Sequence, residues 1–112
     1  MTHDTVTRYW RENDDDSVVP CYDVVEWAHW FTDHDPVVAA TRLPSVDPDT
    51  ADHAIVSTVF VGTQPDPLAR PPRVYETVVF VGPTVLARKL SCTREEALAT
   101  HEDLVTRISS LQ

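Results

Sequence analysis

Apolar residues in this chain fall into short runs that are separated by polar and proline-rich segments. Two of these runs nearly repeat each other, Ser57–Gly62 (STVFVG) and Thr77–Gly82 (TVVFVG). A run of β-branched and aromatic residues that ends in glycine is typical of a strand and its turn, so the repeat predicts neighbouring strands at 53–62 and 73–82. The connector Thr63–Pro72 holds four prolines in about ten residues, too few for a helical crossover, so the two strands are predicted to pair antiparallel.

Both predicted central strands carry apolar residues at odd and at even positions. Successive side chains of a strand point to opposite faces, so Val59 and Phe60 belong to different faces of the sheet. We therefore expect both faces to be covered, by two helices or by one helix and a subunit partner. Within this sheet Val59, Phe60, Val79 and Phe80 are expected to be mostly buried.

The N-terminal part of the chain predicts a hairpin followed by a helix. Thr7–Trp10 and Ser17–Pro20 flank a polar, acidic tip that is rich in turn-forming residues. Asp23 and Glu26 have the spacing of a helix cap, and Trp30 is expected to be exposed because it points about 60° away from the apolar face that follows. That apolar face is expected to pack on the sheet, and it consists of Val24, Trp27, Ala28 and Phe31.

The remaining segments predict two more strands and a long helix. Asp33–Pro36 ends the first helix, Val37–Leu43 predicts a strand, and Pro44–Asp52 predicts an exposed loop. Val85–Leu90 predicts a fourth strand of the sheet, and Thr93 opens a capping box for the last helix. The apolar stripe of that helix consists of Ala97, Leu98, His101, Leu104, Val105, Ile108 and Leu111.

Together these elements predict a single α+β domain over residues 1–112. It contains a largely antiparallel sheet of about four strands in meander order, with an N-terminal hairpin and helix and a C-terminal helix. With 42% hydrophobic and 24% charged residues, the chain has ordinary globular usage and needs no metal or disulfide to fold. No apolar run approaches the roughly 20 residues that span a bilayer, and the start of the chain lacks the pattern of a secretory signal, so we expect a cytoplasmic protein with no membrane association.

The chain is strongly acidic, with a net charge of −9 and Lys89 as its only lysine. Such a surface repels nucleic-acid phosphates, so DNA or RNA binding is not expected. Two explanations of the acidity remain open. One is the residue usage that is typical of a high-GC or salt-adapted genome, and the other is an acidic face for a specific partner.

No residue pattern predicts an active site, so we expect no enzyme activity, metal or cofactor. His29 and His34 are five residues apart, which does not place two ligands on one helical face. The acidic run Asp14–Asp16 lacks the alternating ligands of a calcium loop. Cys21 and Cys92 lie far apart and are expected to be free thiols. A chain with two glycines also has no phosphate-binding loop.

His101 interrupts the apolar stripe of the last helix. Burial lowers the pKa of such a histidine and demands a hydrogen-bond partner, for which we expect a backbone carbonyl or Glu76. Glu76 is itself unusual in an apolar strand, and we expect it to pair with Arg73 or Arg88.

Aromatic and arginine residues near the N-terminus and in the proline-rich connector suggest a surface for a protein partner or for self-association. The predicted partner-binding residues are Tyr9, Trp10, Trp30, Arg70 and Arg73, residue types that are frequent at binding hot spots. The alternative is that the aromatic side chains fill a second small core under the N-terminal hairpin. A homodimer would be one form of self-association through this surface.

Several phrases of the chain resemble, in the same order, a group of small uncharacterised proteins encoded in tailed-virus and provirus genomes. The resemblance covers about two thirds of the chain and implies a viral context, in the host cytoplasm or the virion. It favours a non-enzymatic accessory protein that binds a host factor such as a defence system, with a virion or assembly component as the alternative and a small metal-dependent or hydrolytic enzyme as the second alternative. The phrases are Asp23–Ala28 (DVVEWA), Val56–Gly62 (VSTVFVG), Tyr75–Phe80 (YETVVF) and Thr93–Glu102 (TREEALATHE).

Overall fold

The computed structural model describes residues 9–44, 53–63 and 70–110. Six strands and two helices follow one another within these ranges. In chain order they are β1 (Tyr9–Glu12), β2 (Val18–Cys21), α1 (Val24–Asp33), β3 (Val37–Leu43), β4 (Ala54–Phe60), β5 (Tyr75–Val81), β6 (Thr84–Ser91) and α2 (Arg94–Ser109). Four predicted parts lie outside the described residues, namely Thr7 and Arg8, residues 45–52, residues 64–69 of the connector, and Leu111.

The predicted α+β fold is confirmed. β3, β4, β5 and β6 form one antiparallel sheet in meander order, and β1 and β2 form a separate hairpin. The central pair β4–β5 has the predicted antiparallel pairing, with Val56 opposite Val79 and Thr58 opposite Thr77. The turn from β5 to β6 begins at Gly82, whose φ of 57° is in the left-handed region that glycine adopts at no steric cost.

α2 begins where the capping box predicts. The Thr93 hydroxyl accepts a hydrogen bond from the Glu96 backbone amide at 3.1 Å, which satisfies one of the free amides at the helix N-terminus. The predicted apolar stripe is confirmed at Ala97, His101, Leu104 and Ile108, which are buried. Leu98 was wrongly included in it, since this side chain is exposed.

α2 covers one face of the sheet and contacts successive rows of strand residues. Near its start Ala97 packs in an apolar cluster with Phe60 and Tyr75. His101, one turn later, contacts threonines of the sheet instead. The last two turns complete a second apolar cluster formed by Ala54, Val56, Val79, Leu104 and Ile108. The core therefore consists of two apolar clusters with a polar layer between them.

The position of α1 differs in part from the prediction, because this helix lies along the hairpin β1–β2 and meets the four-stranded sheet at the end of β4, where Trp30 packs against Phe60. Asp23 caps it as predicted, and its carboxylate accepts hydrogen bonds from the amides of Val25 and Glu26. Val24 is exposed, as is Ala28, so the predicted inward face was wrong at these two positions. The side chains that face inward are Trp27, Trp30 and Phe31, whose rings contact one another along the helix.

Gly62 joins the hairpin to the sheet. The Trp10 amide donates a hydrogen bond to the Gly62 carbonyl at 2.8 Å. The Trp10 carbonyl in turn accepts a hydrogen bond from Trp27 Nε1 at 2.7 Å. Gly62 has a φ of 69°, and a Cβ atom there would lie 2.9 Å from both the Trp10 carbonyl oxygen and the Trp27 ring. A side chain at position 62 would therefore clash with the contacts that hold the two parts together.

Within the described residues a helix covers one face of the four-stranded sheet, so the prediction of a helix on each face was wrong, and the alternative of one helix and a subunit partner stays a prediction. Phe60 and Val79, on the α2 side, are fully buried as predicted. Val59 and Phe80, on the other side, are only half-buried. In the part of the chain that the structure describes, neither helix is long and apolar enough to span a bilayer.

Candidate functional site

The predicted partner-binding aromatic residues do not form an exposed patch. Trp10 is only 7% exposed and belongs to the apolar cluster around Phe60. Trp30, which we expected to be exposed, is half-buried and packs edge-on against Phe60 at 5.7 Å between ring centroids. Tyr9 lies 5.0 Å from the ring of Trp27. These side chains fill the second small core that was the alternative interpretation.

The two predicted arginines remain at the surface. Arg70 places its guanidinium 5.3 Å from the ring centroid of Trp10, a cation–π contact, and Arg73 is also exposed. Most of the connector that precedes them, residues 64–69, lies outside the described residues. Of the five predicted residues, the structure thus brings together Trp10, Trp30 and Arg70, with Trp30 packed against the apolar cluster that contains Trp10.

A buried carboxylate that the sequence analysis did not single out lies beneath the hairpin. Glu12, whose side chain is 3% exposed, receives hydrogen bonds on both oxygens. Oε1 accepts from His34 Nε2 at 3.1 Å, and Oε2 accepts from the Tyr75 hydroxyl and from Arg94 Nη1, the latter at 3.4 Å. The His34 ring also stacks on Trp30 at 4.4 Å. This group, which we call the Glu12 cluster, links β1, the end of α1, β5 and the start of α2.

The chemistry of the Glu12 cluster is that of a satisfied buried ion pair. Burial and the hydrogen bond to Glu12 raise the pKa of Tyr75 well above its usual value, so the phenol stays neutral and serves as a donor. Both Glu12 oxygens are engaged by side chains of the protein, and Arg94 supplies the compensating charge. The alternation of β1 offered one local signal, because Glu12 lies on the same side of the strand as the buried Trp10.

His101 forms a second buried polar group, and its predicted partners were wrong. It contacts neither Glu76 nor a backbone carbonyl but two hydroxyls, with Nε2 2.8 Å from Thr41 Oγ1 and Nδ1 2.9 Å from Thr58 Oγ1. Thr58 Oγ1 continues the chain to Thr77 Oγ1 at 2.8 Å. A neutral imidazole donates from one nitrogen and accepts at the other, so this chain is fully paired with a neutral ring. Burial lowers the pKa of His101, in agreement with that form.

The second face of the sheet is an apolar surface on which no helix packs within the described residues, although Val78 at its centre is only 6% exposed. The strand registers place twelve side chains on it in three rows of four. Eight of the twelve are apolar, whereas a solvated sheet face is normally polar. The rows are Val37, Val59, Glu76 and Leu90; then Ala40, Ser57, Val78 and Arg88; then Arg42, Ile55, Phe80 and Val85. We call this surface the open sheet face.

The open sheet face is basic, although the chain is acidic. Its charged residues are Arg42, Arg88 and Glu76, and the last two form the ion pair that the sequence predicted, at 3.7 Å. The open sheet face thus holds two cations against the single anion Glu76. Because the chain as a whole carries −9, its negative charge is concentrated elsewhere.

A second exposed apolar surface lies at the start of α1, and its charge is the reverse. Tyr22 is 68% exposed and Val25 is 62% exposed, with Val24 beside them. Asp23 and Glu26 flank these side chains, and α1 contains no lysine or arginine. We call Tyr22, Val24 and Val25, with these two carboxylates, the α1 surface.

No constellation in the described ranges points to metal or thiol chemistry. Residues 9–44, 53–63 and 70–110 contain no group of three His, Cys, Asp or Glu side chains that could hold a metal ion. Cys21 and Cys92 are free, and burial raises the pKa of the Cys92 thiol, which disfavours the reactive thiolate. A scan against protein-family models, a search of curated proteins and a search of solved structures each found no match for this chain.

Proposed function

We propose that this protein acts by binding another protein through the open sheet face and has no enzymatic activity. The observation that carries the proposal is the composition of that face, where eight of twelve positions are apolar and no helix packs on them. Removing such a surface from water stabilises a complex in proportion to the apolar area that is buried. Arg42 and Arg88 would supply polar contacts at its edges, where arginine is frequent in interfaces.

The buried polar groups support a structural interpretation over a catalytic one. In the Glu12 cluster both carboxylate oxygens have protein donors, and His101 has a hydroxyl at each ring nitrogen. A general base must lie within reach of a substrate proton, whereas His101 is only 1% exposed and Glu12 only 7%. A metal-dependent or hydrolytic enzyme therefore remains the weakest of the three candidate functions.

The resemblance to proteins of tailed viruses and proviruses supplies the context of the proposal. In that context we propose an accessory protein in the host cytoplasm that binds a host factor. A virion or assembly component is the second candidate, and the presence of two separate apolar surfaces on one chain favours it. We expect neither nucleic acid nor membrane as a partner.

Site-specific photocrosslinking tests the proposed surface. The photoreactive residue p-benzoylphenylalanine would replace Ile55, in the third row of the open sheet face, or Leu98 on α2 as a matched exposed control. We expect a crosslinked protein at position 55 and none at position 98, and the adduct should disappear when Val85→Asp is added on the same face. Equal labelling at both positions, or no adduct at position 55, would contradict the proposal.

A further inference from the structure

The two exposed apolar surfaces of this chain are complementary to each other. Resting on the proposed function of the open sheet face, we propose that its partner is the α1 surface of a second copy of the same chain. Copies would then join head to tail, with the helix of one copy packed across the sheet of the next. The contact joins two different surfaces, so it generates extended chains or closed rings, the smallest of which is a two-fold dimer that contains the contact twice.

Charge is the first support for this pairing. The apolar residues of the α1 surface are flanked by Asp23 and Glu26, and those of the open sheet face by Arg42 and Arg88. Glu26 and Arg88 also form ion pairs within the chain, with Arg11 at 4.0 Å and with Glu76 at 3.7 Å, so Asp23 and Arg42 are the principal charges for the contact. A contact between two sheet faces would instead bring like charges together in chains that each carry −9. Complementary charges favour the encounter of the two different surfaces and disfavour pairing of identical ones.

Size is the second support. The ten residues of α1 extend about 15 Å at 1.5 Å per residue. Four strands spaced about 4.8 Å apart present a face about 14 Å across between the outer strands. The helix is thus as long as the sheet is wide, and the apolar side chains of the α1 surface, at its first turn, would cover part of the open sheet face. Helix on sheet is a standard way to bury an apolar sheet surface.

The same copy cannot supply its own α1 to its own open sheet face. Trp27 Nε1 is bonded to the Trp10 carbonyl, and Trp30 packs against Phe60, so the inner side of α1 is fixed to the hairpin. Three residues, 34–36, join the end of α1 to β3, which leaves no length for the helix to cross the sheet. The second copy is thus the source of the helix.

Complementation between two variants tests the pairing. Ile55→Asp places a charge in the open sheet face and leaves α1 intact, whereas Val25→Arg disrupts the α1 surface and leaves the sheet intact. Both side chains are exposed, so the fold should persist, and circular dichroism checks this.

We expect wild-type protein to form species of at least twice the 12.6 kDa chain mass in analytical ultracentrifugation, and the mass of these species should grow with protein concentration. Each variant alone should be monomeric, and an equimolar mixture should give a complex of twice the chain mass, because each variant retains one working surface.

A control variant and three contrary results distinguish a failure of this pairing from a failure of the open sheet face as a binding surface. Leu98→Asp alters an exposed leucine outside both surfaces and should assemble like wild type. Assembly by Val25→Arg but not by Ile55→Asp would overturn the inference in favour of sheet-to-sheet contact. A monomeric wild type that still crosslinks another protein from position 55 would overturn the inference and leave the proposed function standing. A monomeric wild type with no adduct at position 55 would overturn both.

Discussion

The two faces of the four-stranded sheet have similar sequences and opposite environments. On the covered face Val56 and Val79 meet Leu104 and Ile108 of α2, whereas on the open face their chain neighbour Ile55 remains 39% exposed. The difference comes from the position of α1, which packs on the hairpin and leaves the second face without a helix. Apolar composition alone therefore does not identify a core, because an interaction surface can have the same composition.

Substituting adjacent residues of β4 by aspartate gives the largest expected contrast between the faces. Val56→Asp would bury an unpaired charge at a fully buried position and should destabilise the domain by about 4 kcal/mol or more, enough to unfold it. Ile55→Asp should change the free energy of unfolding by less than about 1 kcal/mol, because the carboxylate reaches water. Urea denaturation followed by circular dichroism measures both. Similar losses in the two variants would show that the open sheet face is part of the core.

The two central phenylalanines give the next contrast. Phe60→Ala should cost about 3–5 kcal/mol, because Phe60 is fully buried between Trp30 and Tyr75. For Phe80→Ala we expect about 1–2 kcal/mol, because half-burial leaves less apolar area to lose. From the sequence we expected Phe80 to be mostly buried, which would have implied a larger loss of unfolding free energy. An equal loss of unfolding free energy in both variants would contradict the assignment of Phe80 to an uncovered face.

The smallest expected effect is a pH dependence that arises on the covered face from His101. Burial lowers the pKa of His101 in the folded state below the usual 6.5. At pH values between the lowered pKa and 6.5, the unfolded state therefore binds a proton that the folded state does not. The stabilisation by neutral His101 should be complete above pH 6.5 and should decline as pH falls below 6.5 towards the lowered pKa. His101→Gln keeps a side chain that can hydrogen-bond to Thr41 or Thr58 but does not titrate. Unfolding free energies of wild type and variant from pH 5 to 8 should converge at the acid end, and parallel curves would contradict the assignment.

Local patterns predicted the elements, because the information for each element lies within a few residues of it. The glycine-ended repeat predicted β4 and β5, and the capping residues Asp23 and Thr93 marked the start of both helices. The orientation of α1 could not be predicted in this way. The apolar spacing of α1 fits two overlapping faces, one with Val24 and Ala28 and one with Trp30. The structure has the second face inward, where Trp30 contacts Phe60, thirty positions later in the chain.

The candidate surfaces were beyond the reach of local patterns for a related reason. β4 and β5 carry apolar residues at both odd and even positions. This pattern fits a sheet with two covered faces, and it fits a sheet with one core face and one interaction face equally well. The Glu12 cluster depends on residues up to 82 positions apart, and no spacing along the chain signals such a contact. The predicted aromatic patch was misplaced because exposed and buried tryptophans look the same in a sequence.

The contacts that attach the hairpin and α1 to the sheet, the joint at Gly62 among them, also predict how the domain unfolds locally. The hairpin and α1 are attached to the sheet by the Trp10 to Gly62 hydrogen bond, by the ring contact of Trp30 with Phe60 and by the Glu12 cluster. The second apolar cluster, around Val56 and Leu104, includes none of these groups. Native-state amide exchange should therefore reveal a subglobal unfolding step in which residues 9–33 detach as one cooperative unit while β3–β6 and α2 stay protected. The carrier of the acidic α1 surface would thus unfold as a separate unit once these attachments to the sheet break.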